Sequence, residues 1–241
     1  MTALLLVHAF PLDASMWDGE IEALGAEAEV LAPSLPGFGG TSSAGDVLSM
    51  EAMADFLSGQ LDEAGVDRAV VCGLSMGGYA AFELFRRHRG RVAGLVLADT
   101  RAEADDEAGR QKRQALAEKV RAEGSGVLAD APPPLLSEGA DPALWDHVKE
   151  IIRRQPGEAI AAASLGMASR PDSTATLSTI DVPTTVIVGS ADTLTPPPMS
   201  DTLAQGIAGA ELVTLEDAGH LSNLEAPDGF REAVLDLLAK V

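Results

Sequence analysis

The 241-residue chain contains a single cysteine, Cys72, so it forms no internal disulfide and nothing in it calls for an oxidising compartment. Basic residues are scarce: 17 lysines and arginines stand against 37 aspartates and glutamates, a formal charge of −20. A field of that sign repels phosphate backbones and anionic lipid surfaces, which argues against nucleic-acid or membrane partners. Long apolar runs are also missing. Met1 to Phe10 includes a short one, but it has no basic leader and no small-residue cleavage site, and nothing in the chain is long enough to span a bilayer. Cytoplasmic residence is the expectation. The four histidines are scattered without ligand-like spacing, so no metal and no other cofactor is expected.

With 46% hydrophobic and 22% charged residues, the composition is that of an ordinary globular protein. A chain of this length can bury roughly three quarters of its unfolded surface. Short apolar runs at Leu4–Val7, Glu29–Leu31, Ala69–Cys72, Val92–Ala98, Thr184–Val188 and Glu211–Leu215 read as buried strands. Helical periodicity at Ser15–Leu24, Ser49–Ala64, Met76–His88, Pro197–Gly206 and Ala226–Leu238 alternates with them. That alternation predicts βαβ units in one mostly parallel sheet of about six strands, with right-handed crossovers placing helices on both faces.

The rhythm breaks from about Thr100 to Arg170, where no strand signal occurs. Helical stretches are predicted at Asp105–Glu123, around Leu135, at Pro142–Gln155 with Asp141 as N-cap, and at Glu158–Ser169. An insertion of this size predicts a helical cap over the C-terminal edge of the sheet, where open α/β sheets bind ligands. The expected division is a core of residues 1–99 and 173–241 and a cap of residues 100–172. The cap is nearly neutral, with 13 acidic and 10 basic residues, so most of the negative charge lies on the core.

The strand at Ala69–Cys72 runs directly into Gly73-Leu74-Ser75-Met76-Gly77-Gly78 and then into a helical pattern. This is the G-x-S-x-G nucleophile elbow in the strand–turn–helix setting it requires. Serine there is exposed at a helix N-terminus, where backbone N–H groups favour developing negative charge. A glycine-rich turn with an incidental serine is the bland alternative, and the flanking strand and helix argue against it.

A serine hydroxyl needs a base, and the base needs a group that sets its tautomer. His8 ends the first strand, His88 sits in a basic surface run, and His147 falls in a cap helix pattern. His220, just beyond the last strand in Asp217-Ala218-Gly219-His220, remains as the base by position and elimination. Asp192, on the loop after the fifth strand, completes the order nucleophile, acid, histidine. Asp99, at the end of the fourth strand, is the competing acid. The two oxyanion donors expected for this chemistry are the backbone N–H groups of Met76 and Phe10, with Phe10 equally readable as a packing aromatic at the pocket mouth.

The segments HAFPLDASMW, LPGFGGTS, GLSMGG, VGSADTLTPP and AGHLSNLEAP resemble the small α/β-hydrolase esterases, including the 3-oxoadipate enol-lactonase-like and methyl-ester carboxylesterase groups. The resemblance implies the α/β-hydrolase fold, the chain beginning at its third strand. Ala9 stands where that group more often has glycine. Hydrolysis of small acyl or aryl esters through an acyl-enzyme is the activity implied, with a lactonase as the alternative. The partner implied is a small-molecule ester or lactone; the sequence assigns no oligomeric state. Serine at position 75 speaks against the dehalogenase branch, while C–C hydrolases and perhydrolases share the triad. A ligand receptor that kept the fold and lost turnover is the alternative of another class.

Two expectations concern the cap. Leu144, Val148 and Ile151 form one apolar face with Trp145 and Ile152 beside it; most of them read equally well as cap core, and Trp145 is the residue expected to touch substrate. The cap's near-balanced charge, with Arg101, Arg110, Arg113, Arg153, Arg154 and Arg170 among its bases, leaves room for a carboxylate-bearing substrate such as an enol-lactone, but most of these arginines are expected at the solvated helix surface, which makes that the minority reading.

Overall fold

A computed structural model describes residues 2–43 and 45–241. Six strands form one sheet: β1 (Ala3–Val7), β2 (Glu29–Leu31), β3 (Ala69–Leu74), β4 (Val92–Ala98), β5 (Thr184–Gly189) and β6 (Glu211–Leu215). All pair in parallel in the order β2-β1-β3-β4-β5-β6. Parallel strands buried on both faces need continuous apolar sequence, and β1, β3, β4 and β5 are buried at every position. The edge strands β2 and β6 keep exposed residues, consistent with their mixed composition.

Helices α1 (Asp18–Leu24), α2 (Met50–Glu63) and α3 (Met76–Arg87) follow the first three strands, α9 (Pro197–Gly206) joins β5 to β6, and α10 (Ser222–Glu225) and α11 (Pro227–Leu238) close the chain. α1 packs against α11 on one face. α2 and α3 pack together, and right-handed crossovers put them on the other face. Ser49 caps α2 through its hydroxyl, 3.2 Å from the Ala52 amide, as its residue type and position lead one to expect.

Between β4 and β5 lie α4 (Glu107–Glu123), α5 (Gly126–Asp130), α6 (Pro142–Arg154), α7 (Gly157–Ala168) and the short α8 (Thr174–Leu177). The predicted helical piece around Leu135 is absent; the short helix sits earlier, at α5. Pro132, Pro133 and Pro134 lack the backbone N–H groups a helix needs, and Leu135 closes a tight turn onto the Pro133 carbonyl at 2.7 Å. α4 and α7 form the closest helix pair of the insertion. Gly157 allows it, since a Cβ there would stand 2.4 Å from the Val120 carbonyl oxygen.

The chain leaves β1 toward β2 on one side and then returns past it to β3 on the other. The switch point between β1 and β3 is where such sheets open a crevice at their C-terminal ends.

Candidate active site

Ser75 ends β3 in the left-handed region, at φ 56° and ψ −111°. A non-glycine residue at positive φ is strained, and the surroundings hold it there. Its amide donates to the Ala98 carbonyl at 2.9 Å, and its own carbonyl accepts the Thr100 hydroxyl at 2.8 Å. The turn depends on missing side chains. A Cβ on Gly73 would lie 2.3 Å from the Gly77 carbonyl oxygen, and one on Gly77 would lie 2.1 Å from that of Val7. This second contact brings the first turn of α3, which begins at Met76, against the end of β1, three residues before Phe10. Among the described residues neither the Met76 nor the Phe10 amide is taken up by another hydrogen bond.

His220 reaches Ser75 from the loop after β6. Its Nε2 lies 2.8 Å from Ser75 Oγ and its Nδ1 lies 2.8 Å from Asp192 Oδ2. With Nδ1–H donating to the carboxylate, Nε2 is left to accept the serine proton. The loop is supported from both sides: Gly219 N–H donates to Glu225 at 2.7 Å, and Leu221 N–H to the Leu135 carbonyl at 2.8 Å. Gly189 leaves room for it, since a Cβ there would meet the Gly219 and Ala218 carbonyl oxygens at 2.2 and 2.3 Å.

Asp192 is itself tightly held. Oδ1 accepts the Leu194 and Thr195 amides at 2.8 and 3.0 Å, and Oδ2 accepts the Thr195 hydroxyl at 2.6 Å. Burial pushes the carboxyl upward, but the hydrogen bond and charge of His220, with the Thr195 bonds, outweigh it and hold the group below its ordinary value. Ser75 and His220 face a cavity of about 380 Å³, whose lining includes Phe10, Tyr79, Leu135, Leu194 and Thr195.

Among protein families, the alpha/beta hydrolase family matches residues 4–233, nearly the whole chain. The chain belongs to the alpha/beta hydrolase family. It is 30% identical to a pimeloyl-[acyl-carrier protein] methyl ester esterase of Aromatoleum aromaticum, over 98% of this chain and 97% of that one. Among solved structures, a thermophilic esterase from Thermogutta terrifontis, malate bound, is similar at 41% identity and a TM-score of 0.97, covering 100% of this chain and 90% of that one. An enol-lactonase from Burkholderia xenovorans matches at 30% identity and TM-score 0.90, over 99% of this chain and 92% of that one. Among the described residues of this alpha/beta hydrolase no helix is long and apolar enough to cross a membrane, and no group of histidine, cysteine and carboxylate side chains could hold a metal ion.

Ser75, His220 and Asp192 are thus brought together, and Phe10 lines the cavity beside them. Asp99 is placed elsewhere. It lies fully buried at φ 44°, accepting the Gly189 amide at 2.9 Å and the Ser222 hydroxyl, and makes no hydrogen bond to His220. Burial raises its carboxyl to about 7, against the lowering effect of His220, Ser222 and Gly189. It ties the ends of β4 and β5 to α10.

Trp145 does not line the cavity. α6 packs against α5 and the 3-10 turn Ala14–Trp17, burying Val148, Ile151 and Ile152, and leaves Trp145 half-buried with the Lys149 ammonium 6.0 Å from its ring centre. The cavity wall comes instead from α4 and α7, through Gly109, Lys112, Arg113, Leu116 and Met167. Their contribution depends on how two helices dock, which periodicity does not report. Thr195 is a further addition: Asp192 forms an Asx-turn by accepting the Leu194 amide two residues on at 2.8 Å, and that turn brings the Thr195 amide and hydroxyl to the same carboxylate.

His8 holds the loop that carries Phe10. Its ring lies 3.0 Å from the Ala9 carbonyl through Nδ1 and accepts the Leu35 amide at 3.0 Å through Nε2, so both nitrogens are used by the neutral form. Burial lowers its pKa to about 4. A histidine with a depressed folded value loses stability as pH falls, beginning near the unfolded value of about 6.5 and ending near the folded one. We therefore expect urea unfolding to show a loss of about 3 kcal/mol between pH 6.5 and 4 that a His8→Gln variant lacks. Asp99 titrates with the opposite sign over much of the same window, but it does so in both proteins and cancels in the difference. Parallel profiles for the two proteins would show that His8 is not neutral in the fold.

Proposed function

We propose that this alpha/beta hydrolase cleaves esters of small carboxylic acids through an acyl-enzyme on Ser75. The observation that carries the reading is the line Asp192–His220–Ser75, with both links at 2.8 Å, ending at a cavity. His220 Nε2 takes the hydroxyl proton as Ser75 Oγ attacks the ester carbonyl carbon. The oxygen of the tetrahedral intermediate lies where the Met76 and Phe10 amides are free to donate. As the intermediate collapses, the C–O bond to the alcohol breaks and His220 returns the proton to that oxygen. Water then repeats the sequence on the acyl-enzyme, giving its proton to His220 and releasing the acid and free Ser75. Asp192 keeps the proton on Nδ1 and stabilises the imidazolium.

The relatives' activities support ester chemistry, and helices α4–α7 act in this reading as a cap over the site. A cavity of about 380 Å³ suits a compact acyl group, whereas an interfacial lipase needs a broad apolar surface. Across p-nitrophenyl esters from acetate to palmitate, kcat/KM is expected to peak among the short acyl chains and fall beyond them. Rates that climb steadily toward palmitate would overturn the assignment. A lactone opens by the same steps, the leaving oxygen remaining attached to the acyl group. The likeness to an enol-lactonase fold at 30% identity favours including lactones in the panel.

A further inference from the structure

We propose that the α4 side of the cavity is a carboxylate-binding subsite, so that the preferred substrate carries a second, ionised carboxylate on its acyl group. The inference rests on ester hydrolysis at Ser75 and adds the chemistry of the acid released.

The protein carries a charge of −20, yet the cavity is lined by three cations, Arg101, Lys112 and Arg113, and one anion, Asp105. A fourth cation, Arg170, lies directly behind, 2% exposed at its side chain, with its guanidinium 4.2 Å over the Tyr79 ring. The surface placement expected for the arginines holds for Arg110, Arg153 and Arg154, which are half-exposed, but not for Arg101, Arg113 or Arg170. One carboxylate serves three of them: Asp105 Oδ1 accepts Arg101, and Oδ2 accepts Arg113 and, at 2.9 Å, Arg170. Burial pushes Asp105 upward, but the hydrogen bonds and charges of Arg170 and Arg113 hold it at about 2, so it remains an anionic pin.

That pin orients the guanidiniums without neutralising them. Arg170 uses both terminal nitrogens, donating also to the Glu103 and Met167 carbonyls at 2.8 and 3.0 Å, while its buried Nε has no partner among the described residues. Arg113 gives Nε to Asp105 and Nη1 to Met167 Sδ at 3.3 Å, leaving Nη2. Arg101 has a buried Nε with no partner, with Glu103, outside the cavity lining, as the other carboxylate near it. Lys112 makes no ion pair among the described residues. Cations partly removed from water and short of counter-charge favour an anion that supplies it, and guanidinium forks bind carboxylates with direction.

The nucleophile is close by along the chain. Thr100, whose hydroxyl binds the Ser75 carbonyl, precedes Arg101, and Tyr79, which carries Arg170, lies one turn of α3 beyond Ser75. An acyl chain of a few carbons between the attacked carbonyl and a terminal carboxylate fits a cavity of about 380 Å³.

The test compares kcat/KM for p-nitrophenyl hemi-esters of succinic, glutaric and adipic acids with that for butanoate, pentanoate and hexanoate, each pair differing only in a terminal carboxylate or methyl. The wild type is expected to favour the hemi-ester by about tenfold at one or more lengths, with the preference shrinking in about 0.5 M salt. Arg101→Gln and Arg113→Gln, which retain a donor toward Asp105, should each cut that ratio by about tenfold, chiefly through KM. Exposed Lys112→Gln provides a variant that leaves the Asp105 cluster intact and should reduce the ratio in the same direction. A ratio at or below one for all three pairs, with the neutral esters still hydrolysed, overturns the subsite and leaves ester hydrolysis standing. If no ester is turned over, calorimetric titration with glutarate decides: saturable binding weakened by Arg113→Gln supports the subsite, and absence of binding overturns it.

Discussion

Ser75→Ala and His220→Ala should each lower kcat on a short p-nitrophenyl ester by about 10⁶-fold, roughly 8 kcal/mol of transition-state stabilisation. The losses should be alike because the two side chains form one proton-transfer unit: without the imidazole 2.8 Å away, the Ser75 hydroxyl has no base, and without the hydroxyl the base has nothing to activate. The double variant should be little worse than either alone, since each removal already disables the other. Folding should survive, because Ser75 is held through its backbone rather than through Oγ. Circular dichroism and melting temperature check that point, and active-site titration guards against wild-type contamination. A pure, folded Ser75→Ala protein that retains more than a few per cent of activity would eliminate the acyl-enzyme mechanism. A wild type that releases no p-nitrophenol at all, neither as a burst nor in steady state, would favour the ligand-receptor reading.

Asp192→Asn should cost about 10⁴-fold in kcat, because an amide can donate to Nδ1 and fix the histidine tautomer with its proton on Nε2, where the Ser75 proton must go. Asp99→Asn should cost far less. Asp99 makes no hydrogen bond to His220, and with its carboxyl near 7 it already spends much of the neutral range protonated, a form the amide imitates in shape and charge. Its effect should appear in melting temperature, through the contacts to Gly189 and Ser222. Measuring kcat and melting temperature for both variants separates the roles. If Asp99→Asn proved the more damaging to kcat, Asp192 would not be the orienting acid.

What could be read along the chain was whatever depends on near neighbours. Val92–Ala98 is apolar throughout because a central parallel strand is buried on both faces, and the strand bounds follow from that burial. Ser75 is recognisable because a strand, a sharp glycine-flanked turn and a helix are contiguous, and the clash a Cβ would cause at Gly73 and Gly77 is the physical content of the pattern. His220 could be found by elimination among four histidines, since only one lies on a loop beyond the last strand. The acid was less determinate. Asp99 and Asp192 both sit at the C-terminal ends of adjacent strands, and only the turn of each loop decides which carboxylate faces the imidazole.

The cavity wall was not legible from local pattern at all. Helical periodicity identifies the face of α6 that is buried, including Val148, Ile151 and Ile152, but not what covers it, and Trp145 accordingly lies away from the site expected for it. α4 reads from its sequence as an amphipathic stretch of the cap, but periodicity does not say what its apolar face meets. It becomes the wall because the small residues of α7 let the two helices dock closely, with the Ser164 hydroxyl on the Arg113 carbonyl at 2.9 Å. Sequence by itself determined the fold and singled out Ser75 and His220 as candidate nucleophile and base, because those follow from residue type and short-range spacing. Tertiary structure alone decided which carboxylate lies beside the His220 ring and set Arg101 and Arg113 in the cavity wall, because both depend on contacts between segments that no local periodicity relates.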